Sequence, residues 1–422
     1  MKRILVILAM LVAVSASAQW ITYQTNTTMD LYKIQFVNVN TGFAAGGGTV
    51  YSDSAVFFKT TNGGTNWIKY IVYDSTSTPI DEVYGLSFLN SNTGYVCGRS
   101  WNVFKTTNGG QNWLAVRLPY FSLTQIYNAL YFINENTGYA AGRYGYFCKT
   151  TNGGINWSLV KVLSANLFCL KFFNEMTGYV GDGAGIISKT TDGGLTFTQQ
   201  DLGFFQINNL YFENETTGYC VGLNIYYGAV LKTTNSGVNW IKVYENNNKS
   251  LYDLDFVNNS TGFACGDGIF LKTTNSGNNW LAYDPLFRGF GIDFYNSDVG
   301  FISGDGGKIY KTLTGGVWVN NISTETPSAY SLSQNYPNPF NPTTNIKFSI
   351  PAVSSPRVPG GDLVQLKVYD VTGREVQTLV NERLQPGTYE ASFDGAALNT
   401  GVYFYKLVTG TFSETKKMLL IK

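Results

Sequence analysis

Not one histidine occurs in the 422 residues. That absence removes Ser/His/Asp and Cys/His catalysis together, and it takes away the commonest nitrogen ligand of zinc. Charge is also scarce: 14% of residues are Asp, Glu, Lys or Arg, and 29 basic side chains against 28 acidic ones leave a formal net charge of +1. A chain so balanced has no electrostatic footprint for nucleic acid or for an anionic membrane. The cysteines number five, an odd count without a CxxC pair, so neither a disulfide framework nor a metal site is expected. Cys97, Cys220 and Cys265 occupy slots where other repeats carry Ala or Val, and they read as small buried hydrophobes.

Long apolar runs are missing as well. The longest opens the chain: Lys2 and Arg3, an apolar stretch from Ile4 to Val14, then Ala16-Ser17-Ala18. It falls short of the ~20 residues that cross a bilayer. Residues 1–18 therefore read as a signal peptide cleaved between Ala18 and Gln19, with no transmembrane segment expected in the mature, exported chain.

Repetition is what the chain has. The phrase Lys-Thr-Thr-Asn-Gly-Gly-x-Asn-Trp or a close variant ends at Trp67, Trp113, Trp157, Phe197, Trp240, Trp280 and Trp318, in steps of 46, 44, 40, 43, 40 and 38 residues. A second phrase, Thr-Gly-aromatic, precedes each copy and ends at Phe43, Tyr95, Tyr139, Tyr179, Tyr219, Phe263 and Phe301, with Val299 in place of Thr in the last. Two registers in step at roughly 40–45 residues match a four-stranded propeller blade. In the third repeat, strand candidates are Tyr127 to Ile133, Tyr139 to Gly142, Tyr146 to Thr150 and Trp157 to Lys161, joined by turn-forming residues. One blade cannot bury both faces, so copies must stack and close. The fold class expected is all-β: a seven-bladed β-propeller over 19–322, followed by a small Ig-like β-sandwich. Trp20 to Tyr23 is expected to supply the fourth strand of the last blade. The lysine that recurs in every repeat, from Lys59 to Lys311, is expected at solvated strand ends.

Thr60-Thr-Asn62-Gly-Gly64-Thr-Asn66-Trp67 resembles an Asp-box. Its recurrence in every blade is similar to BNR-like propellers of the photosystem II assembly and stability factor type. The resemblance implies a hairpin-stabilising role for the motif and no particular activity, since enzymes, receptors and assembly factors share it.

Composition changes after Trp318. Residues 323–335 read as a linker, and strand candidates over 336–422 alternate without a helix, as in a small sandwich. Tyr336-Pro337-Asn338-Pro339-Phe340, Val368 to Gly373, Gly401-Val-Tyr403 and the basic end Lys416-Lys417…Lys422 are similar to the type A C-terminal sorting domain of the type IX secretion system. This resemblance implies that the tail addresses the secretion machinery, with passage through the periplasm to the medium or the outer-membrane surface.

Turns on one face carry the candidate binding residues Arg99, Trp101, Arg143, Tyr144, Asp182, Tyr226, Tyr227, Asp267, Arg288 and Asp305. Aromatics among Arg and Asp suit a protein or glycan ligand. No catalytic residue, cofactor or metal is assigned. A sialidase needs three converging arginines, and the propeller offers only Arg99, Arg117, Arg143 and Arg288. The reading is a secreted or cell-surface, non-catalytic binding or assembly propeller. A glycoside hydrolase or lectin acting on polysaccharide is the alternative, and two carboxylates about 5–10 Å apart across a cleft would mark hydrolysis.

Overall fold

The computed structural model describes residues 20–48, 55–73, 80–119, 126–203, 206–223, 227–283, 285, 287–313, 315–316, 320–323, 325–352, 362–384, 386–395, 398–410 and 412–422. The leader, with Ala18 and Gln19, lies outside them, as do Tyr226 and Trp318. Thr22–Gly316 forms one compact unit, and Val317–Lys422 lies in a second.

The first unit is a propeller of seven four-stranded antiparallel sheets. In the third blade, Tyr127–Phe132, Gly138–Gly142, Tyr146–Thr150 and Ser158–Val162 pair in chain order. Opening strands of successive blades touch around the whole ring, and Gly289–Phe294 against Asp30–Phe36 completes it. The seventh blade takes its fourth strand from the start of the chain, with Ile21–Gln24 beside Lys308–Thr312. Because that place is filled, the chain beyond Gly316 does not extend the propeller. Asn320–Ser323 pairs instead with Gly387–Asp394 of the second unit, a correction to the 19–322 boundary. Likewise Ser331–Leu332, read as linker, pairs with Thr343–Ile350.

The repeated phrases have physical causes. Each opening strand ends in Phe, and that ring lies against the glycine of Thr-Gly-aromatic. A Cβ on Gly138 would sit 2.6 Å from Phe132, and one on Gly218 would sit 2.3 Å from Phe212. The aromatic that follows stacks on the closing Phe of the next blade: Tyr95 on Phe132 at 3.5 Å, Tyr139 on Phe172 at 3.7 Å, and Phe301 on Phe36 at 4.0 Å across the closure. These rings are nearly all fully buried, so they carry much of the inter-blade energy.

The Asp-box locks the outer hairpin. Thr150 Oγ1 donates to Asn152 Oδ1 at 3.0 Å and accepts from Gly154 N at 3.0 Å, while Asn152 Oδ1 accepts from Asn156 N at 2.9 Å. Gly153 and Gly154 have φ of 68° and 77°, a region glycine enters without steric cost. Trp157 then meets Phe132 edge-on at 5.8 Å.

The recurring lysine does not sit at a solvated end. Lys105 Nζ lies 5.5 Å from the Tyr95 ring centre and donates to Gly153 O of the following blade at 2.7 Å. Lys232 reaches Ser276 O at 2.6 Å, and Lys311 reaches Gly63 O at 2.7 Å across the closure. Burial lowers the Lys59, Lys232 and Lys311 pKa values. The lysines are stitches between blades.

The second unit holds two four-stranded antiparallel sheets. Within its opening motif Phe340 is buried and Tyr336 is 82% exposed. Asn338 Oδ1 accepts from Leu419 N at 2.9 Å, and Phe340 exchanges backbone bonds with Leu419 and Ile421 at 3.0 Å each. The peptide bonds before Pro337 and Pro339 are cis. Gly373 turns the chain at φ 80°, Gly401 opens the strand Gly401–Val408, and Tyr403 donates to Asn399 O at 2.8 Å. All five cysteines are buried and free.

Candidate ligand-binding face

Each of the seven opening strands carries a bulge where it pairs with the second strand, always skipping the residue after its first buried position. The skipped residues are Tyr32, Tyr84, Asn128, Phe168, Asn208, Tyr252 and Phe290 in blade order. A bulge leaves its extra residue outside the ladder and re-aims its side chain. Here it brings seven side chains to the end of the channel opposite the Asp-boxes, because each opening strand runs from this end toward the Asp-box turns.

Four of them form a continuous aromatic arc over blades six, seven, one and two. Tyr32 stacks on Tyr84 at 5.2 Å and meets Phe290 edge-on at 5.5 Å, and Phe290 lies 5.5 Å from Tyr252. An ion pair guards each end. Arg99 Nε binds the buried Glu82 at 2.6 Å, and both engage Tyr84. Arg288 donates to Tyr252 OH at 3.1 Å and to Asp267 at 3.2 Å, with its guanidinium 5.4 Å from the Phe290 ring centre. Burial, then the charge of Glu82, pushes the Tyr32 phenol up to about 12, and burial raises Tyr84 further. The two asparagines tie the next blade instead: Asn128 to Leu167 O at 2.8 Å, and Asn208 to Leu251 O at 2.6 Å.

The candidates named from sequence are dispersed on this end. Trp101 lies under the Arg117 guanidinium at 6.0 Å, so Arg117 is drawn away from any arginine triad. Arg143 and Tyr144 are exposed on a tight turn. Tyr227 opens its strand with Lys242 5.6 Å from its ring centre. Asp182 is buried and accepts Ala184 N and Ile186 N of its own turn at 2.9 and 2.8 Å; burial raises its pKa. Asp305 lies 3.8 Å from Lys308. Asp267 carries the Arg288 ion pair, so each of the three turn acids has a partner of its own.

The carboxylates the fold does gather were missed. Asp253, Asp255 and Asp293 lie on the opening strands of blades six and seven. Asp255 accepts Phe256 N at 2.9 Å and Phe294 N of the next blade at 2.8 Å; Asp293 accepts Phe36 N at 2.5 Å. Asp253 accepts Ile292 N at 3.2 Å, is bonded by Asn209, and lies 3.9 Å from Lys33. Burial, and then the Asp253 charge, pushes Asp255 up to about 6. Burial and the Asp255 charge hold Asp293 well above the ordinary range. Residues before the closing Phe serve the same seam elsewhere, as Gln35 does with Phe88 at 2.8 and 3.1 Å. Among the described residues no cluster of His, Cys, Asp or Glu could hold a metal ion.

This is an Asp-box propeller with a separate β-sheet tail. Residues 12–120 and 69–169 match the model described as photosynthesis system II assembly factor YCF48, and residues 334–422 match the secretion system C-terminal sorting domain. The chain therefore combines YCF48-like propeller repeats with a type IX sorting domain. None of the curated proteins matches it. Among solved structures, YCF48 bound to D1 peptide is 18% identical, with 70% of this chain and 97% of that one covered at a TM-score of 0.56. YCF48 from Cyanidioschyzon merolae is 17% identical over 69% and 98%, TM-score 0.52. PorZ of Porphyromonas gingivalis, a surface component of the type IX secretion system, is 14% identical over 93% and 59%, TM-score 0.54. Identities this low speak for the fold alone. The sorting domain indicates export by type IX secretion, consistent with a secreted or cell-surface protein. No helix among the described residues is long and apolar enough to cross a membrane.

Proposed function

We propose that the propeller is a non-catalytic binding module that works at the cell surface, with the aromatic arc as the seat for a segment of a partner protein. One observation carries this reading: seven bulges of identical register deliver four contiguous aromatics to the channel mouth, between two ion pairs. Half-buried aromatics beside fixed hydrogen-bonding groups are the usual composition of a protein-recognition patch. A YCF48 propeller has been solved with a peptide bound, which supports a peptide segment as the occupant. The tail is read as an address for the export machinery, followed by release or attachment at the outer surface.

A hydrolytic reading draws no support from the acids. The gathered carboxylates hold backbone N–H groups of neighbouring blades, and those on the turns serve their own loops or a basic neighbour.

Photo-crosslinking on intact cells tests the proposal, with a benzophenone amino acid at position 32 or 84 of the full chain and at Asn112 on the Asp-box end as control. A defined protein adduct from the arc and none from Asn112 is the expected result. Adducts from Asn112 alone, or turnover of a polysaccharide by the purified chain, would overturn it.

A further inference from the structure

The rings of the arc advance in even steps, 5.2, 5.5 and 5.5 Å between neighbouring centres from Tyr84 through Tyr32 and Phe290 to Tyr252, and all four are half-buried. Their polar surroundings are lopsided. Each carboxylate beside the arc already has a donor of its own: Glu82 has Arg99, Asp267 has Arg288, and Asp30 accepts Gly306 N at 3.0 Å. The donors are less fully used. Tyr252 OH accepts from Arg288 Nη2 at 3.1 Å and, among the described residues, donates to nothing. Tyr32 OH has no hydrogen-bond partner among them. Arg288 bonds through Nη2 alone, although its side chain is 43% exposed.

A segment that matches such a patch is apolar and offers acceptors with few donors. Proline supplies both, because its nitrogen carries no hydrogen while its carbonyl remains a full acceptor. A proline-rich chain also winds into a polyproline II helix without internal hydrogen bonds, so its carbonyls stay open to a partner. A β-strand or a saccharide brings N–H or O–H groups along with its acceptors, and here those donors would meet carboxylates that are already paired. The dimensions agree as well. Two residues of polyproline II advance ~6 Å, close to the step between neighbouring rings, so each gap suits one dipeptide and the arc spans about six residues.

We infer that the occupant of the aromatic arc is a proline-rich segment of the partner in polyproline II form, an inference that rests on the arc being the partner's seat. Its prolines pack among the four aromatics, and the phenols of Tyr32 and Tyr252 donate to prolyl carbonyls. The helix is formed before it docks, so little conformational entropy is lost on binding.

Isothermal titration of the full chain without its leader tests this with capped decaproline, against capped glycine-serine and threonine-rich peptides of the same length. Decaproline should bind saturably, at least about tenfold tighter than either comparison. Tyr32→Phe and Tyr252→Phe keep the rings and remove the phenol donors, and each should weaken binding about threefold to tenfold. Excess decaproline should also erase the adduct formed on cells through position 84. An adduct that persists under decaproline, no preference over the comparison peptides, or an affinity unchanged in both phenylalanine variants would overturn the proline-rich occupant and leave the arc as a protein seat. No adduct from either position 32 or position 84 would overturn the arc reading and this inference with it.

Discussion

The two ends of the propeller obey different rules. At the Asp-box end six turns repeat the same three hydrogen bonds within a few tenths of an ångström, from Thr60 to Thr273. At the other end seven bulges share one register but deliver tyrosine, phenylalanine and asparagine to different tasks. Where every blade needs the same thing, the residues converge; at the bulges they diverge, because no single inter-blade contact is required there. The uniform end is the scaffold, and the varied end is where a ligand can be read.

The largest blow to the uniform side is loss of closure. Deleting Ile21–Gln24 leaves the seventh blade with three strands and an open edge, and is expected to abolish a single cooperative melting transition in calorimetry. Next, Trp157→Ala should cost about 3–5 kcal/mol in denaturant unfolding, because it empties a buried site against Phe132. Lys105→Met keeps the stem over Tyr95 and removes the charged bond to Gly153 O, with an expected loss of about 1.5–3 kcal/mol. An effect near zero would return the lysines to the solvated role expected of them from sequence.

The smallest effect is one of pH. Asp255 has a folded pKa of about 6, above its unfolded value near 4. Its protonated form is therefore favoured by folding: that stability is full below about pH 4 and is lost as pH rises through 6. At about 1.4 kcal/mol per pH unit between the two values, and with part of it screened by solvent at this half-buried carboxylate, the change is on the order of 1–2 kcal/mol. Asp192, Asp370 and Glu375 have lowered pKa values, and their contribution disappears instead as pH falls. Melting curves between pH 4.5 and 7.5 should thus slope downward, and the slope should flatten in Asp255→Asn. A flat wild-type profile would contradict the account of the seam.

The scaffold was legible because its causes are local. Thr-Gly-aromatic and the Asp-box each encode a contact that recurs in every blade, and Trp20 to Tyr23, a strand candidate with no turn before it, points to the closing strand. The site was not legible for the opposite reason. Tyr32, Tyr84, Tyr252 and Phe290 lie far apart in sequence, and inside their strands they look like ordinary core residues; only the bulge turns them to the mouth. Asp182, Asp267 and Asp305 lie on turns of the expected face, yet turn chemistry consumes Asp182, and basic neighbours accompany the other two. The channel carboxylates left one clue, a charged residue just before the closing Phe of blades six and seven.

One paired measurement tests the division of labour most directly: melting temperature, and adduct yield from a benzophenone at position 84, for Thr150→Ala and Tyr32→Ala, side by side. Thr150→Ala should lower the melting temperature and leave the adduct intact, because the bonds it removes lie within the hairpin. Tyr32→Ala should abolish the adduct while the chain still melts in one transition. The reverse pattern, with the adduct lost in Thr150→Ala and untouched in Tyr32→Ala, would contradict the account.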